Sequence, residues 1–294
     1  MKIQQAIDAW EAHVPLFLQE SWDASGKQVG RFSQQWTGTI VALDLEEEVV
    51  TRALETGANL IFTHHPILFH PMQRMVEDDP RGALLLRTVE SGLAVYACHT
   101  PLDCVAGGVN DVLADLFSLQ DRAVLDPLDR EKIIAESTGT SDQVVDTSPL
   151  SPDRKEFVGF SGMGRTGRIT PRSLQELAQK AAQLLDSKTI LFYGAENTRI
   201  SRIAVVGGAG SEYWQAAKRA GCDCLLTADI KYHMALEAVA AGLCLIDLGH
   251  YASEFPVLTR VAQWMKALDA TLPVTVVSQR SARLRQAITA QERP

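Results

Sequence analysis

Several features that would point directly to a function are missing from this chain of 294 residues. Its five cysteines are an odd number and none forms a Cys-x-x-Cys pair, which argues against a cysteine-rich metal site. We therefore expect reduced, mostly buried thiols in a cytoplasmic protein. The N-terminus lacks a signal-peptide-like apolar core, and no run approaches the ~18 apolar residues of a membrane span, so no membrane partner is expected.

Positive charge is also scarce. The chain has 28 Lys and Arg against 36 Asp and Glu, a net charge of -8, which argues against a nucleic-acid partner. The glycine-rich stretch Phe157–Gly167 has no Gly-Lys-Ser/Thr ending, so we interpret it as a hairpin or exposed loop and not as a phosphate loop. Gly207–Ser211 precedes a predicted helix, where it is either an anion site or a tight strand-to-helix turn; the turn is favoured unless the substrate carries phosphate.

Two stretches of the chain share one pattern of apolar and turn residues. Residues 40–63 align with residues 204–227 at an offset of 164, and both read strand, helix, glycine, strand, threonine. Residues 92–96 align with residues 242–246 at an offset of 150. Such a repeat predicts two copies of one α/β unit, each with a parallel or mixed sheet covered by helices.

The repeat suggests two lobes. We place the first at residues 1–125 and the second at residues 126–294, with the C-terminal part of the second packing back on the first. Residues 118–154 are rich in Asp, Ser, Thr and Pro and form the candidate linker, within which Glu131–Ala135 is a candidate strand.

Two adjacent histidines, His64 and His65, follow the apolar run Asn59–Phe62, which is typical of a buried strand. Neighbouring side chains on a strand point to opposite faces, so both imidazoles serve one site only if the chain turns there, and Pro66 favours a turn. Each imidazole can then hold a different ion of a pair. The alternative is one histidine bonded to backbone and the other exposed.

Other polar side chains follow other predicted strand ends, where open α/β sheets place their sites. Four strand ends carry five of the seven histidines together with acids and one lysine. In chain order these residues are His64 and His65; His99 and Asp103; Asp229, Lys231 and His233; and His250 and Glu254.

Imidazole and carboxylate ligands suit Zn, Fe, Mn or Ni and require no thiolate. His250 and Glu254, like His99 and Asp103, have the i, i+4 spacing that puts two side chains on one face of a helical turn. A bridging carboxylate reduces the repulsion between two nearby cations, which suits Glu254. Three imidazoles and two carboxylates leave open coordination positions on both ions. This favours a catalytic role, hydrolysis by activated water, over a structural role in which the metal only joins two lobes.

These segments resemble the GTP cyclohydrolase I type 2 homologues, also called Nif-three-like dinuclear metal-centre proteins. The resemblance runs from about residue 21 to about residue 257. The matching segments are residues 21–23 with Gly30, 57–66, 97–103, 107–111, 207–211, 227–233 and 249–254. The stretch from Val124 to Phe157 is too short for the domain that longer members insert, so the resemblance is to a short form.

The resemblance implies a Nif-three-like α/β fold of two interlinked, duplicated lobes with mixed sheets flanked by helices, two divalent metal ions, and a ring-shaped homohexamer. By the family pattern His64 and Asp103 hold one ion, His65 and His250 hold the other, and Glu254 bridges both. Further groups would lie nearby as catalytic residues: His99, Asp229 and Lys231.

The function expected from this resemblance is a metal-dependent hydrolase acting on a nucleotide or another phosphate-bearing small molecule. The alternative is a non-enzymatic, metal-stabilised hexameric ring that binds a partner protein or a metabolite. DNA threaded through such a ring is disfavoured by the acidic charge. The chain departs from the family at Asp23-Ala24-Ser25, where Asp-Asn is usual, and this predicts the loss of a polar contact near the site.

Overall fold

The computed structural model describes residues 1–128 and 160–278. The candidate strand Glu131–Ala135 and most of the candidate linker lie outside these residues. The helices are α1 (Ile3–His13), α2 (Glu47–Thr56), α3 (Pro80–Glu90), α4 (Thr100–Cys104), α5 (Val109–Leu116), α6 (Leu174–Leu184), α7 (Trp214–Arg219), α8 (Tyr232–Ala240), α9 (His250–Glu254) and α10 (Val257–Leu268). The strands are β1 (Gly26–Val29), β2 (Thr39–Ala42), β3 (Leu60–Thr63), β4 (Ala94–Ala97), β5 (Gln120–Pro127), β6 (Gly162–Ser173), β7 (Leu191–Tyr193), β8 (Arg199–Ala209), β9 (Cys224–Ala228), β10 (Cys244–Asp247) and β11 (Val274–Val276).

The strands form two mixed sheets, so the predicted α/β class is confirmed. One sheet has the order β1-β4-β3-β2-β11, in which β1 is antiparallel to β4 and the other neighbours are parallel. The other has the order β5-β6-β8-β9-β10-β7, with β8, β9 and β10 parallel and β6 and β7 antiparallel to their neighbours β8 and β10. Strands β2, β3 and β4 are buried along their whole length, as expected when helices cover both faces.

The predicted duplication is visible in the strand register. Ile40 pairs with Ile61 in the first sheet, and residues 164 positions later, Ala204 and Leu225, pair in the second. Val95 pairs with Ile61, and Leu245, 150 positions after Val95, pairs with Leu225. Both offsets found in the sequence therefore correspond to equal registers within the two sheets.

The contacts within the chain define two compact units. Among the described residues, the first unit contains 1–109, 126–128, 160–163 and 256–278, and the second contains 110–125 and 164–255. Each has its own apolar core, one around β2, β3 and β4 and one around β8, β9 and β10. Strand β11 pairs with β2, which places the C-terminal strand in the first sheet. The lobe boundaries predicted from the sequence stay a prediction.

The glycine-rich segment differs from its sequence interpretation. Residues 162–167 begin the long strand β6 and are buried. Gly164 has φ +70°, and a Cβ there would lie 3.0 Å from side-chain atoms of Leu125 and Val206. The glycines thus permit close packing of a strand, and the expectation of an exposed loop is wrong for these residues because local sequence does not reveal that neighbour.

All five cysteines are free and buried, as expected. No helix in the described part of the chain is long and apolar enough to cross a membrane.

Candidate metal centre

The first histidine cluster lies at the ends of β3 and β4. His64 and His65 follow β3, and His99 directly precedes α4. One ring nitrogen from each lies within 4.8 Å of those of the other two. The rings of the adjacent His64 and His65 are 4.8 Å apart between centroids, so the chain turns there in the way that a shared site requires.

His64 is arranged as a metal ligand would be. Its Nδ1 lies 2.9 Å from the carbonyl oxygen of Cys98, and its Nε2 lies 3.6 Å from Oδ1 of Asp103. Because a carbonyl only accepts, Nδ1 carries the proton and Nε2 offers its lone pair. Two ligand atoms at about 2.1 Å from one tetrahedral ion stand about 3.4 Å apart, so the His64–Asp103 spacing fits a single ion.

His65 is held by a residue that sequence reasoning missed. Its Nδ1 lies 2.8 Å from Oδ1 of Asp44, which follows β2, the parallel neighbour of β3. Asp44 begins the acid-rich segment Asp44–Glu48, in which α2 starts at Glu47. The available signal was an acid after a strand adjacent to the double-histidine strand.

His99 is paired with Asp23, a buried carboxylate. His99 Nδ1 lies 2.9 Å from Asp23 Oδ1, while the hydroxyls of Ser25 and Thr100 each donate to Oδ2 at 2.7 Å. Burial alone raises the pKa of Asp23, but the hydrogen bonds and charge of His99 and the two hydroxyl bonds outweigh it, so the pKa lies well below its usual value. Asp23 is therefore ionised near neutral pH.

Ser25 supplies polar contacts at the position where a loss was predicted. Besides donating to Asp23, its hydroxyl accepts the backbone N–H of His99 at 2.9 Å. The Asp-Ala-Ser segment thus provides its own polar support for the Asp23–His99 pair.

The second cluster lies after β9 and β10. His250 and Glu254 are the first and last residues of α9, and His250 Nε2 lies 3.2 Å from Glu254 Oε2. His250 Nδ1 lies 2.7 Å from Oδ2 of Asp229, which follows β9 with φ +51°, a left-handed conformation that aspartate tolerates better than most residues. The i, i+4 spacing brings the two predicted ligands together, and Asp229 orients the imidazole.

The second glycine segment accommodates Glu254. Gly208 has φ +62°, and a Cβ there would lie 2.1 Å from Glu254 Oε1. The N–H of Gly208 donates to Ser253 Oγ at 3.0 Å, and the N–H of Gly210 donates to Thr227 Oγ1 at 2.9 Å. Since these amides are engaged within the fold, the segment makes room for a carboxylate and is not an anion site, and Gly207 and Gly208 lie within β8.

Lys231 lies at the residue preceding α8 and is exposed. Its side chain makes no hydrogen bond or ion pair with the residues that the structure describes, and its predicted catalytic role stays a prediction. His233, in α8, is exposed as well.

One arrangement recurs in the two clusters. Four histidines each direct Nδ1 at an oxygen, three times a carboxylate and once a carbonyl. Metal-ligating imidazoles usually have such a partner, because it fixes the tautomer and makes Nε2 the nitrogen that can bind a metal ion. The donor chemistry therefore fits divalent metal ions. The four histidines are His64, His65, His99 and His250.

Sequence comparison identifies relatives of the chain. The model of the family described as Duf34/NIF3 (NGG1p interacting factor 3) matches residues 1–282. The chain is 30% identical over 267 residues to a protein of Clostridium perfringens named GTP cyclohydrolase 1 type 2 homolog, covering 90% of this chain and 92% of that one. It is 32% identical over 272 residues to a protein of the same name from Lactococcus lactis, covering 92% and 93%.

Solved structures show the same fold. A Staphylococcus aureus hypothetical protein superposes with a TM-score of 0.82 at 26% identity, covering 98% of this chain and 99% of that one. A Bacillus cereus protein described as related to NIF3 also has a TM-score of 0.82, at 24% identity, covering 95% and 97%.

Proposed function

This chain belongs to the Duf34/NIF3 family, and from its histidine–oxygen pairs we propose that it binds two divalent metal ions and hydrolyses a nucleotide or another phosphate-bearing small molecule. The observation that carries the proposal is the fixed tautomer of three predicted ligands, His64, His65 and His250, each with Nδ1 against an oxygen. Imidazoles supported in this way are common in metal sites, because the outer partner orients the ring and raises its basicity.

The assignment of ligands follows the family resemblance and the spacings within each cluster. His64 and Asp103 would hold one ion, His65 and His250 the other, and Glu254 would bridge them. A pair of divalent ions would supply Lewis acidity that lowers the pKa of water, so that hydroxide would be available to attack an ester near neutral pH. The native metal would be one that accepts imidazole and carboxylate, such as Zn, Fe, Mn or Ni.

The residues around the ligands have separate tasks in this proposal. His99, whose ring is oriented by the ionised Asp23, would move protons. Asp229 orients His250, and Lys231 offers a positive charge to an anionic substrate. The names of the relatives point to a purine nucleotide as the first substrate to test. The homohexamer stays a prediction.

The test begins with elemental analysis of protein purified without added metal. The same sample is assayed against GTP, other nucleotides and simple phosphoesters, with Asp103→Ala and Glu254→Ala as variants. We expect about two ions per chain in the wild type, with metal and activity lost together in both variants. The control Asp115→Ala removes an acid that pairs with Arg122, and it should retain both.

Two outcomes decide against the proposal. Full activity in protein stripped of metal would exclude metal-dependent hydrolysis. Bound metal without turnover of any substrate, combined with lower stability and loss of an oligomer on chelation, would support the non-enzymatic ring instead.

A further inference from the structure

Three aromatic rings form a corner beside the first histidine cluster. Trp22 and Phe69 lie 6.0 Å apart between centroids at 63°, and His99 lies 5.7 Å from Trp22 at 73° and 6.2 Å from Phe69 at 75°. Each ring thus stands steeply against the other two. The His99 ring is itself 5.2 Å from the ring of His64, so the corner adjoins the predicted metal ligands.

Two of these rings are unusually exposed. Trp22 is 57% exposed and Phe69 is 36% exposed. By contrast, Trp10 and Trp36 in the same unit are only 2% and 4% exposed. Leaving large aromatic surface in water forgoes the free energy of burying it, and adjoining exposed aromatic side chains often mark a binding site. The Trp22–Phe69 pair is therefore a candidate binding surface.

The backbone that carries both rings is held in place. Gln28 Oε1 accepts the N–H of Leu68 at 3.2 Å, and its Nε2 donates to the carbonyl of Ala24 at 2.7 Å. One side chain thus ties the segment before Phe69 to the segment after Trp22. Arg81 donates to the carbonyls of Ile67 and His70, on either side of Phe69.

Arg81 and Gln28 fix the Phe69 segment from two directions. A site held open before its ligand arrives loses less conformational entropy on binding, which favours affinity. The corner is therefore preorganised, and its exposed rings are not at the tip of a loosely attached loop.

We propose that the corner formed by Trp22, Phe69 and His99 binds the planar heteroaromatic ring of the substrate, of the size of a purine base. A flat ring can lie parallel to one wall while its edge meets the other two, and both arrangements are favourable for aromatic pairs. Stacking on aromatic side chains tolerates any base, because every base has a π-face, so the corner selects a ring class and not one base. This inference rests on the proposed function, since it names the part of the substrate that is recognised.

The experiment measures binding without turnover. Guanosine and adenosine are titrated into the full chain while tryptophan fluorescence is recorded, with ribose 5-phosphate as the probe that lacks a base. We expect both nucleosides to quench the fluorescence saturably and ribose 5-phosphate to leave it unchanged. In Trp22→Phe the quenching should disappear while calorimetry still detects binding, because a stacking ring remains.

Variants then test the aromatic side chains that form the corner. Trp22→Leu and Phe69→Leu should each raise the nucleoside Kd about tenfold or more by calorimetry. The matched control is Phe160→Leu, the same change at a phenylalanine that is 72% exposed, and it should leave the Kd unchanged. Gln28→Ala should raise the Kd by a smaller factor, because it loosens the backbone and keeps the rings.

Failure of this inference is distinguishable from failure of the hydrolase proposal. Nucleoside Kd values unchanged by Trp22→Leu and Phe69→Leu would overturn the inference, even if metal content and hydrolysis were normal. A shift in oligomer size by light scattering with unchanged nucleoside binding would also overturn it, by assigning the rings to a subunit contact. Nucleoside binding that follows the expected pattern in protein without metal or turnover would support base binding at the corner and contradict the hydrolase proposal.

Discussion

The two units use one framework to carry two different sets of functional side chains. In each, a short helix of five residues, α4 or α9, follows the third parallel strand at matching positions. His65 after β3 corresponds to Asp229 after β9 at the offset of 164, so an imidazole in one copy is replaced by a carboxylate in the other. In the second unit the imidazole comes from α9 instead. The comparison teaches that each unit has a histidine–acid pair, but only one position of the pair is shared, and it carries the histidine in one unit and the acid in the other.

The His64–Asp103 pair and the His250–Asp229 pair also differ in burial. The side chains of His64 and Asp103 are 0% and 8% exposed, whereas those of His250 and Asp229 are 36% and 31% exposed. Buried polar groups cost more free energy if they lose a partner. We therefore expect substitution of His64 or Asp103 to destabilise the fold more than substitution of His250 or Asp229.

The largest expected effect on metal binding concerns the two glycines Gly208 and Gly221. Gly208→Ala would place a methyl group 2.1 Å from Glu254 Oε1, whereas a Cβ at Gly221 meets nothing within 4 Å. Both have positive φ, so each alanine should destabilise the fold by about 1–2 kcal/mol. Only Gly208→Ala should lower the metal content, because the flexible end of Glu254 moves aside. Urea unfolding and elemental analysis measure the two effects, and equal metal content in both variants would contradict this role of Gly208.

The next effect concerns the carboxylates that hold two of the proposed metal ligands. Asp44→Ala in the first unit and Asp229→Ala in the second each remove a carboxylate that holds a histidine Nδ1. Losing such a partner lowers metal affinity by about 10- to 100-fold. Competition with a chelator gives the affinities. A lower metal affinity in only one of the two variants would show that the two histidine–acid pairs are not equivalent.

The smallest effect compares two polar residues that bind the backbone near the start of the first strand of each repeat. Asn59 accepts the N–H of Thr37 at 3.0 Å, and at the offset of 164 Asp223 accepts the N–H of Ser201 at 2.8 Å. Burial raises the pKa of Asp223, but bonds from Ser201 and Arg202 outweigh it and leave the pKa below its usual value. Only the second unit should therefore show a pH dependence at this position.

The sign follows from the lowered pKa. The charge of Asp223 stabilises the fold above the unfolded pKa near 3.8 and loses its effect as pH falls through the folded value. The stability difference between wild type and Asp223→Asn should be constant from pH 7 to pH 5 and shrink below about pH 4. Unfolding by urea across this pH range measures the difference. A stability difference that grows as the pH falls would contradict a lowered pKa of Asp223.

Much of the fold was predictable because it depends on local patterns. The apolar runs at 40–43, 60–63 and 93–97 marked the buried strands, and the repeat offsets anticipated the registers of both sheets. The boundaries were less accurate. Thr170-Pro171 predicts a helix start, whereas Pro171 lies within β6. The helix α6 begins three residues later, at Leu174, with the capping box of Ser173 and Glu176.

The site was predictable in part. Histidines and acids at strand ends could be recognised from one sequence, because parallel strands place their carboxyl ends at one edge of a sheet. Asp44 was missed because a single acid in an acidic run carries no local sign of the imidazole 21 residues later that it supports.

The amino-acid sequence by itself determined the duplicated α/β plan, the acidic character and the choice of imidazole and carboxylate as donors, since these depend on composition, periodicity and spacing along the chain. Only the tertiary structure decided which oxygen faces each Nδ1, why Gly208 has no side chain, and that Trp22 and Phe69 meet beside His99. Those contacts join residues far apart in the chain, and their geometry is set by packing around the sheets.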